Sequence, residues 1–93
     1  MAKIYVVDHE HQADAKVFRA KHDYQADLLW YEVNQDYQAK GDELWYFVDQ
    51  EHQADFKIYW VDHEHQADIK VFEVDQKYKA KWQKSNKFKN RIS

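Results

Sequence analysis

The chain of 93 residues has no cysteine and no proline, one glycine (Gly41) and two serines (Ser85 and Ser93). Without cysteine there is no disulfide, thiolate ligand or thiol nucleophile, and a reducing interior is compatible. A single glycine excludes the glycine-rich loops that cradle phosphates. Both serines lie near the C-terminus with no histidine close in sequence, so serine nucleophile chemistry is not expected. No apolar run approaches the ~20 residues that span a bilayer, and Met1–Asp8 is too short an apolar stretch for a signal peptide. A cytoplasmic location and no membrane partner are therefore expected.

What is present is repetition. Val7-Asp8-His9-Glu10-His11-Gln12-Ala13-Asp14 returns letter for letter at Val61–Asp68, and in looser form four more times. Aligned on Gln-Ala or its equivalent, the chain divides into six units of thirteen residues: 2–14, 15–27, 28–40, 43–55, 56–68 and 69–81. The twelfth position is Ala in all six, and the fourth is always aromatic (Tyr5, Phe18, Tyr31, Tyr46, Tyr59, Phe72). Position six is Val except at Ala20. The insert Gly41-Asp42 separates the third unit from the fourth, so units one to three match units four to six at an offset of 41 residues. In both third units the closing Asp is replaced by Lys (Lys40 and Lys81). The chain reads as one domain, 1–93: two similar halves and a tail, 82–93.

The first six residues of each unit are rich in Val, Ile and aromatics and read as a strand. In the next seven, acids or amides alternate with His, Gln, Tyr or Ala, which favours extended or turn structure. That reading turns Asp8, Glu10, Gln12 and Asp14 to water and His11 and Ala13 inward. The rival is a short helical turn capped by Asp8. Thirteen residues so poor in Gly and Pro make no comfortable pair of hairpin strands, so each unit supplies one strand and a corner. The 41-residue period predicts a ring traversed twice. Unit one then lies beside four, two beside five and three beside six, in the same direction, as strongly twisted two-stranded ribbons. The invariant Ala marks a place where backbones pack too closely for a larger side chain. Aromatics at 17% fill volume in a small core.

The units Val-Asp-His-Glu-His-Gln-Ala-Asp-(Ile/Ala)-Lys-Val-Phe, with the ending Lys81–Arg91, resemble the small bacterial septoil-knot family. The resemblance covers nearly the whole chain. It implies an all-β, compact toroidal fold of two interwound halves whose backbone is a deep, seven-crossing torus knot. It implies no established activity, cofactor or catalytic residue.

Three constellations carry possible chemistry. His9, His11, His63 and His65, with their neighbouring acids, are of a type that Zn, Ni or Cu accept. Equivalent positions hold Gln35, Tyr37, Gln50 and His52, so a structural place on a partly buried ladder is preferred and no metal or other cofactor is expected. Paired carboxylates such as Asp8/Glu10 and Asp62/Glu64 recur with the repeat, whereas an active site is usually one asymmetric place, so no enzyme is expected. Residues 77–93 hold seven cations and no acid, against a net charge of −10 over residues 1–76. With Tyr78, Trp82 and Phe88 interspersed, this tail has the make-up of a single-stranded nucleic-acid binder. An intramolecular role beside the acidic body, with Trp82 and Phe88 as anchors, is preferred, and nucleic acid is not expected. Asp14/Lys16, Asp55/Lys57 and Asp68/Lys70 read as exposed ion pairs of ~0–1 kcal/mol each. Position five is the most variable (Arg19, Glu32, Phe47, Trp60). A monomer is expected, with a dimer through Phe47 and Trp60 as the alternative if they point outward. The function reads as a non-catalytic structural or interaction module, with weak metal or nucleic-acid binding as the alternative.

Overall fold

The structure, a computed structural model, describes residues 2–92. Six strands, β1 (Ala2–Val6), β2 (Ala15–Arg19), β3 (Leu28–Glu32), β4 (Leu44–Phe47), β5 (Phe56–Val61) and β6 (Ile69–Glu73), are each followed by a three-residue 3-10 turn. A short β7 (Lys81–Trp82) pairs antiparallel with the start of β3. Strands β1 to β6 are all parallel and close on themselves in the order β4-β1-β5-β2-β6-β3, with β3 returning to β4. The fold is an all-β closed barrel. Among the described residues no helix is long and apolar enough to cross a membrane.

The expected partners, β1 with β4, β2 with β5 and β3 with β6, are neighbours and parallel. Separate two-stranded ribbons are not formed, however. Each strand also pairs on its other edge, β1 with β5, β2 with β6 and β3 with β4. The reason is the burden of unpaired edges: three ribbons would leave six rows of unsatisfied N–H and C=O groups, and closure removes them all. The chain lays β1, β2 and β3 at alternate places on a first lap and fills the gaps with β4, β5 and β6 on a second.

Parallel neighbours ordinarily need a crossover of a dozen or more residues, because the chain must travel back along the strand. Here the stagger removes the return journey. Val6 at the end of β1 and Ala15 at the start of β2 both lie level with Ile58 of the intervening β5. Residues 7–14 therefore only step sideways over one strand. Val7 N–H donates to the Ile58 carbonyl at 2.9 Å, and Asp14 N–H to the Lys57 carbonyl at 2.8 Å. The same pair of anchors holds the second crossover on β6, through Ala20 to Val71 and Asp27 to Lys70. The fourth crosses β1, with Val48 on Ile4 and Asp55 on Lys3.

Alternation along each strand sets the layers. Positions one and three point into the barrel: Ala2, Ile4, Ala15, Val17, Leu28, Trp30, Trp45, Phe56, Ile58, Ile69 and Val71 form one buried cluster. Burying each Ile or Val side chain contributes ~1.5–3 kcal/mol. Trp30 and Trp45, on adjacent strands, stack at 4.4 Å between ring centroids and fill one side of the bore. The Trp45 indole N–H donates to the Asp42 carbonyl at 2.6 Å, whereas Trp30 Nε1 is buried with no partner among the described residues. Positions four, six and twelve, with the leucines at position two of units three and four, form an outer layer between sheet and crossovers. In it Ala20, Ala26, Leu29 and Val74 pack with Tyr31 and Phe72, and Val33, Ala39 and Leu44 with Tyr31 and Tyr46. Ala26 and Ala39 are fully buried, as expected where a crossover lies directly on a strand.

The tail closes one end. Gln83 Nε2 donates to the carbonyls of Asp23, in the turn before β3, and of Ala26, and Asn86 Nδ2 to that of Asp68 at the entrance of β6. Trp82 and Phe88 pack on the barrel core, Phe88 edge-on to Phe56 at 5.7 Å, and Ile92 is fully buried. Asn90 turns the chain inward at φ 69°, a left-handed value that Asn tolerates better than most residues.

Candidate functional site

The His-bearing corners differ from the sequence expectation. Residues Glu10–Gln12 form a 3-10 turn rather than continuing the strand alternation, closed by Ala13 N–H to the Glu10 carbonyl at 3.1 Å. The residue at its N-cap is His9, in extended conformation, and not Asp8. A turn of three residues per rotation abolishes the two-residue period. His11 is consequently exposed rather than facing in, and His9, His63 and His65 are exposed as well, so none stands on a buried ladder. His9 and His11 stack on each other at 5.7 Å between centroids, as do His63 and His65 at 5.6 Å and His22 and Tyr24 at 5.3 Å. Among the described residues no group of three or more His, Cys, Asp or Glu converges on a point that could hold a metal ion.

The ring order gathers these corners unevenly. Passing round the barrel over β4, β1, β5, β2, β6 and β3, the crossovers come from units three, four, one, five, two and six. Their tenth residues are Tyr37, His52, His11, His65, Tyr24 and Tyr78. At this position histidines thus occupy one side of the barrel and tyrosines the other, with His22 on the tyrosine side beside Tyr24. The His side holds the three crossovers richest in acid (Asp8, Glu10, Asp14; Asp49, Glu51, Asp55; Asp62, Glu64, Asp68). The opposite side holds Lys77, Lys79 and Lys81. Tyr24, Tyr37 and Tyr78 are 65%, 62% and 81% exposed, which leaves their rings available to a partner. Between two of these corners a shallow depression of about 360 Å³ is lined by Asp23, Leu29, Val74, Tyr78 and Lys81. It opens where position two is Leu29 instead of the lysine found in four of the other units.

The expected Asp/Lys ion pairs are replaced by a different device. Asp14 accepts from the backbone N–H of Lys57 at 2.9 Å through Oδ2, while its own N–H donates to the carbonyl of the same residue. Asp27 holds Lys70, Asp55 holds Lys3 and Asp68 holds Lys16 in the same way. Each Asp grips both backbone polar groups of one residue on the strand its crossover spans. The lysine side chains turn instead to position nine of the preceding unit, Lys16 to Glu10 at 3.2 Å and Lys70 to Glu64 at 3.5 Å. In the third units, Lys40 and Lys81 replace this Asp where the regular path stops.

Sequence reasoning passed over Asp42. It is the only buried charged residue among those described, at 4% exposure. Its Oδ2 accepts from the Trp82 indole N–H at 3.0 Å and from the backbone N–H of Asn90, and its carbonyl from Trp45. One residue of the insert thus ties the tail to the barrel wall. Its signal was present: Gly41-Asp42 is the single break in the repeat register, and a residue outside the repeat has a task outside it.

The tail takes its expected intramolecular position. Trp82 and Phe88 are half-buried and packed on the core. The charges Lys84, Lys87, Lys89 and Arg91 are exposed and have no carboxylate partner among the described residues. The tail is held by main-chain and amide hydrogen bonds rather than by ion pairs.

A closed six-stranded parallel barrel laid down in two laps, with every crossover outside a strand, defines an unusual class of small all-β protein. Comparison with protein families matches residues 1–83 to one described as a 7(1) septoil knot domain, and the chain belongs to that family. No curated protein and no solved structure matches it.

Proposed function

We propose that the chain is a non-catalytic structural or interaction module, six repeat units in two interwound halves, whose backbone is a deep torus knot. The observation that supports the topology is the alternation of laps. Crossovers of the first lap lie outside second-lap strands (residues 7–14 over β5), and crossovers of the second lie outside first-lap strands (residues 48–55 over β1). Two circuits that overlie one another in alternation run as a two-strand torus knot does. Stretching single molecules by their ends tests it. A knotted chain stops short of the full extension of roughly 3.6 Å per residue, because the tightened knot retains part of the chain. Recovery of the whole length overturns the knot. Refolding slower than the milliseconds to seconds of β proteins this size is the bulk counterpart.

The reading as a non-catalytic module is supported by the near-repetition of the His and acid groups at three corners and by a bore filled with apolar side chains. What is unique in the molecule lies at the two ends of the barrel. Titration with Zn, Ni and Cu tests the competing view of the His-rich side. Binding tighter than high micromolar would favour a metal-binding module.

A further inference from the structure

Position five follows positions one and three on the inward side of every strand, so its six side chains rim the mouth where the strands end. Taken round the barrel they are Phe47, Val6, Trp60, Arg19, Glu73 and Glu32. Ring contacts bear out the placement. Phe47 stands edge-on to Trp30 and Trp45 of the layer beneath, at 5.7 and 6.1 Å. Arg19 lies over its neighbour Trp60, its guanidinium carbon 4.2 Å from the ring centroid. The order is not scattered: an apolar arc of three, one cation, then two anions. Phe47 and Trp60 are half-buried, Arg19, Glu32 and Glu73 are exposed, and Val6 keeps 39% of its surface in water.

We propose that this mouth is the contact surface for a second copy of the same chain, docked face to face about a two-fold axis through Val6 and Glu73. The proposal rests on the reading as an interaction module and names its partner. An isologous contact requires a surface complementary to itself. The axis places Phe47 on Trp60 of the partner subunit and Val6 on Val6 of the partner subunit. Arg19 then meets Glu32 of the partner subunit, and the reciprocal pair forms as well. A purely apolar partner would leave Glu32 and Glu73 desolvated without a cation, and a cationic one would meet Arg19. A second copy matches the apolar arc and pairs Arg19 and Glu32 with opposite charges, leaving Glu73 alone without a counter-charge on the partner subunit. Glu73 meets only its own copy across the axis, which opposes association. Six side chains make a patch smaller than the ~800 Å² per partner of a standard interface, so the dimer is weak and concentration-dependent.

Sedimentation equilibrium of the full chain over a wide concentration range tests the proposal, with circular dichroism showing that each variant stays folded. A monomer–dimer equilibrium is expected. Arg19→Glu and Glu32→Arg each weaken it about tenfold or more, and the double variant Arg19→Glu/Glu32→Arg restores most of the loss. Glu73→Gln tightens it. A monomer at every concentration overturns the proposal. So does a dimer that neither single charge reversal weakens, or one that the double variant fails to restore. A monomer that retains the fold leaves the interaction-module reading standing with another partner, whereas turnover of a substrate would overturn that reading without touching the dimer.

Discussion

The two mouths of the barrel are made by the same six strands and finished in opposite ways. At the entrance, position one supplies Ala2, Phe56, Ala15, Ile69, Leu28 and Glu43, and the tail lies across them, sinking Ile92 into the core. At the exit, position five supplies three apolar and three charged side chains that remain exposed or half-buried. Between the mouths the repeat is strict, because every crossover meets the same surroundings: a strand beneath, an Ala against it and, in four units, an Asp clamped to the backbone. Where the surroundings cease to repeat, the sequence ceases to repeat as well. In this fold specific roles concentrate at the ends and generic ones along the wall.

Removing residues 82–93 should break the comparison most severely, since it would leave both mouths open. Truncating Ile92 alone to Ala is expected to cost ~2–4 kcal/mol. Deletion also strips Trp82 and Phe88 from the core, so its loss exceeds that and is comparable with the whole stability of a domain this size, ~5–15 kcal/mol. Urea unfolding followed by tryptophan fluorescence measures it. A deletion with unchanged melting would show that the tail only rests on the mouth.

Asp42→Ala comes next. It takes from the half-buried Trp82 indole N–H and from the Asn90 amide an ionised acceptor, at ~1.5–3 kcal/mol in all because water can partly replace it. The expected signature is a local one: amide exchange accelerates at Asn90 and Ile92 more than on β5.

How much of this was legible beforehand differs between wall and ends. The 13- and 41-residue periods announced one strand per unit, two laps and same-direction neighbours, because each of those follows from repetition alone. The second pairing edge of every strand did not follow. It depends on the stagger between strands, which shifts inward-facing side chains by an even number of residues and so leaves the hydrophobic pattern unchanged. The corners were misread because polar residues alternating every second place suit an extended chain as well as a solvent-facing 3-10 turn. His11 faces water for that reason. The Asp clamp was hidden because Asp14 and Lys57 are 43 residues apart, and the lysine takes part through its backbone. The meeting of His52, His11 and His65 on one side required the ring order, which no local pattern carries.

On the wall, Asp14→Ala and Asp68→Ala test whether the repeated clamp is structural. Each removes one charge-assisted hydrogen bond to a backbone N–H, with an expected cost of ~1–2 kcal/mol, and with faster exchange confined to the Lys57 or Lys16 amide. Asp14 stands two residues before Lys16, which Asp68 clamps, so the double variant should depart from the sum by ~0.5 kcal/mol or more. Asn substitutions keep an acceptor at Oδ1 and should recover about half the loss. If the Ala variants change stability without changing exchange at those amides, the Asp residues act through general charge instead.

The smallest effect on folding belongs to the open mouth. Glu32→Gln and Glu73→Gln alter exposed side chains that no described neighbour needs, so thermal and urea stability at low protein concentration should move by less than ~0.5 kcal/mol. Glu73 stands between Arg19 and Glu32 on the rim, so Glu73→Gln removes one attraction and one repulsion and its effect should lie near zero. The contrast with Asp42, a carboxylate of the same charge at the other mouth, is the informative part. One acid is buried and accepts from two part-buried donors, the other is exposed, and their removal should differ by several-fold in free energy. If Glu73→Gln were as costly as Asp42→Ala, the exit would have to be a closed structural end like the entrance, and a docking surface would have to be sought on the wall.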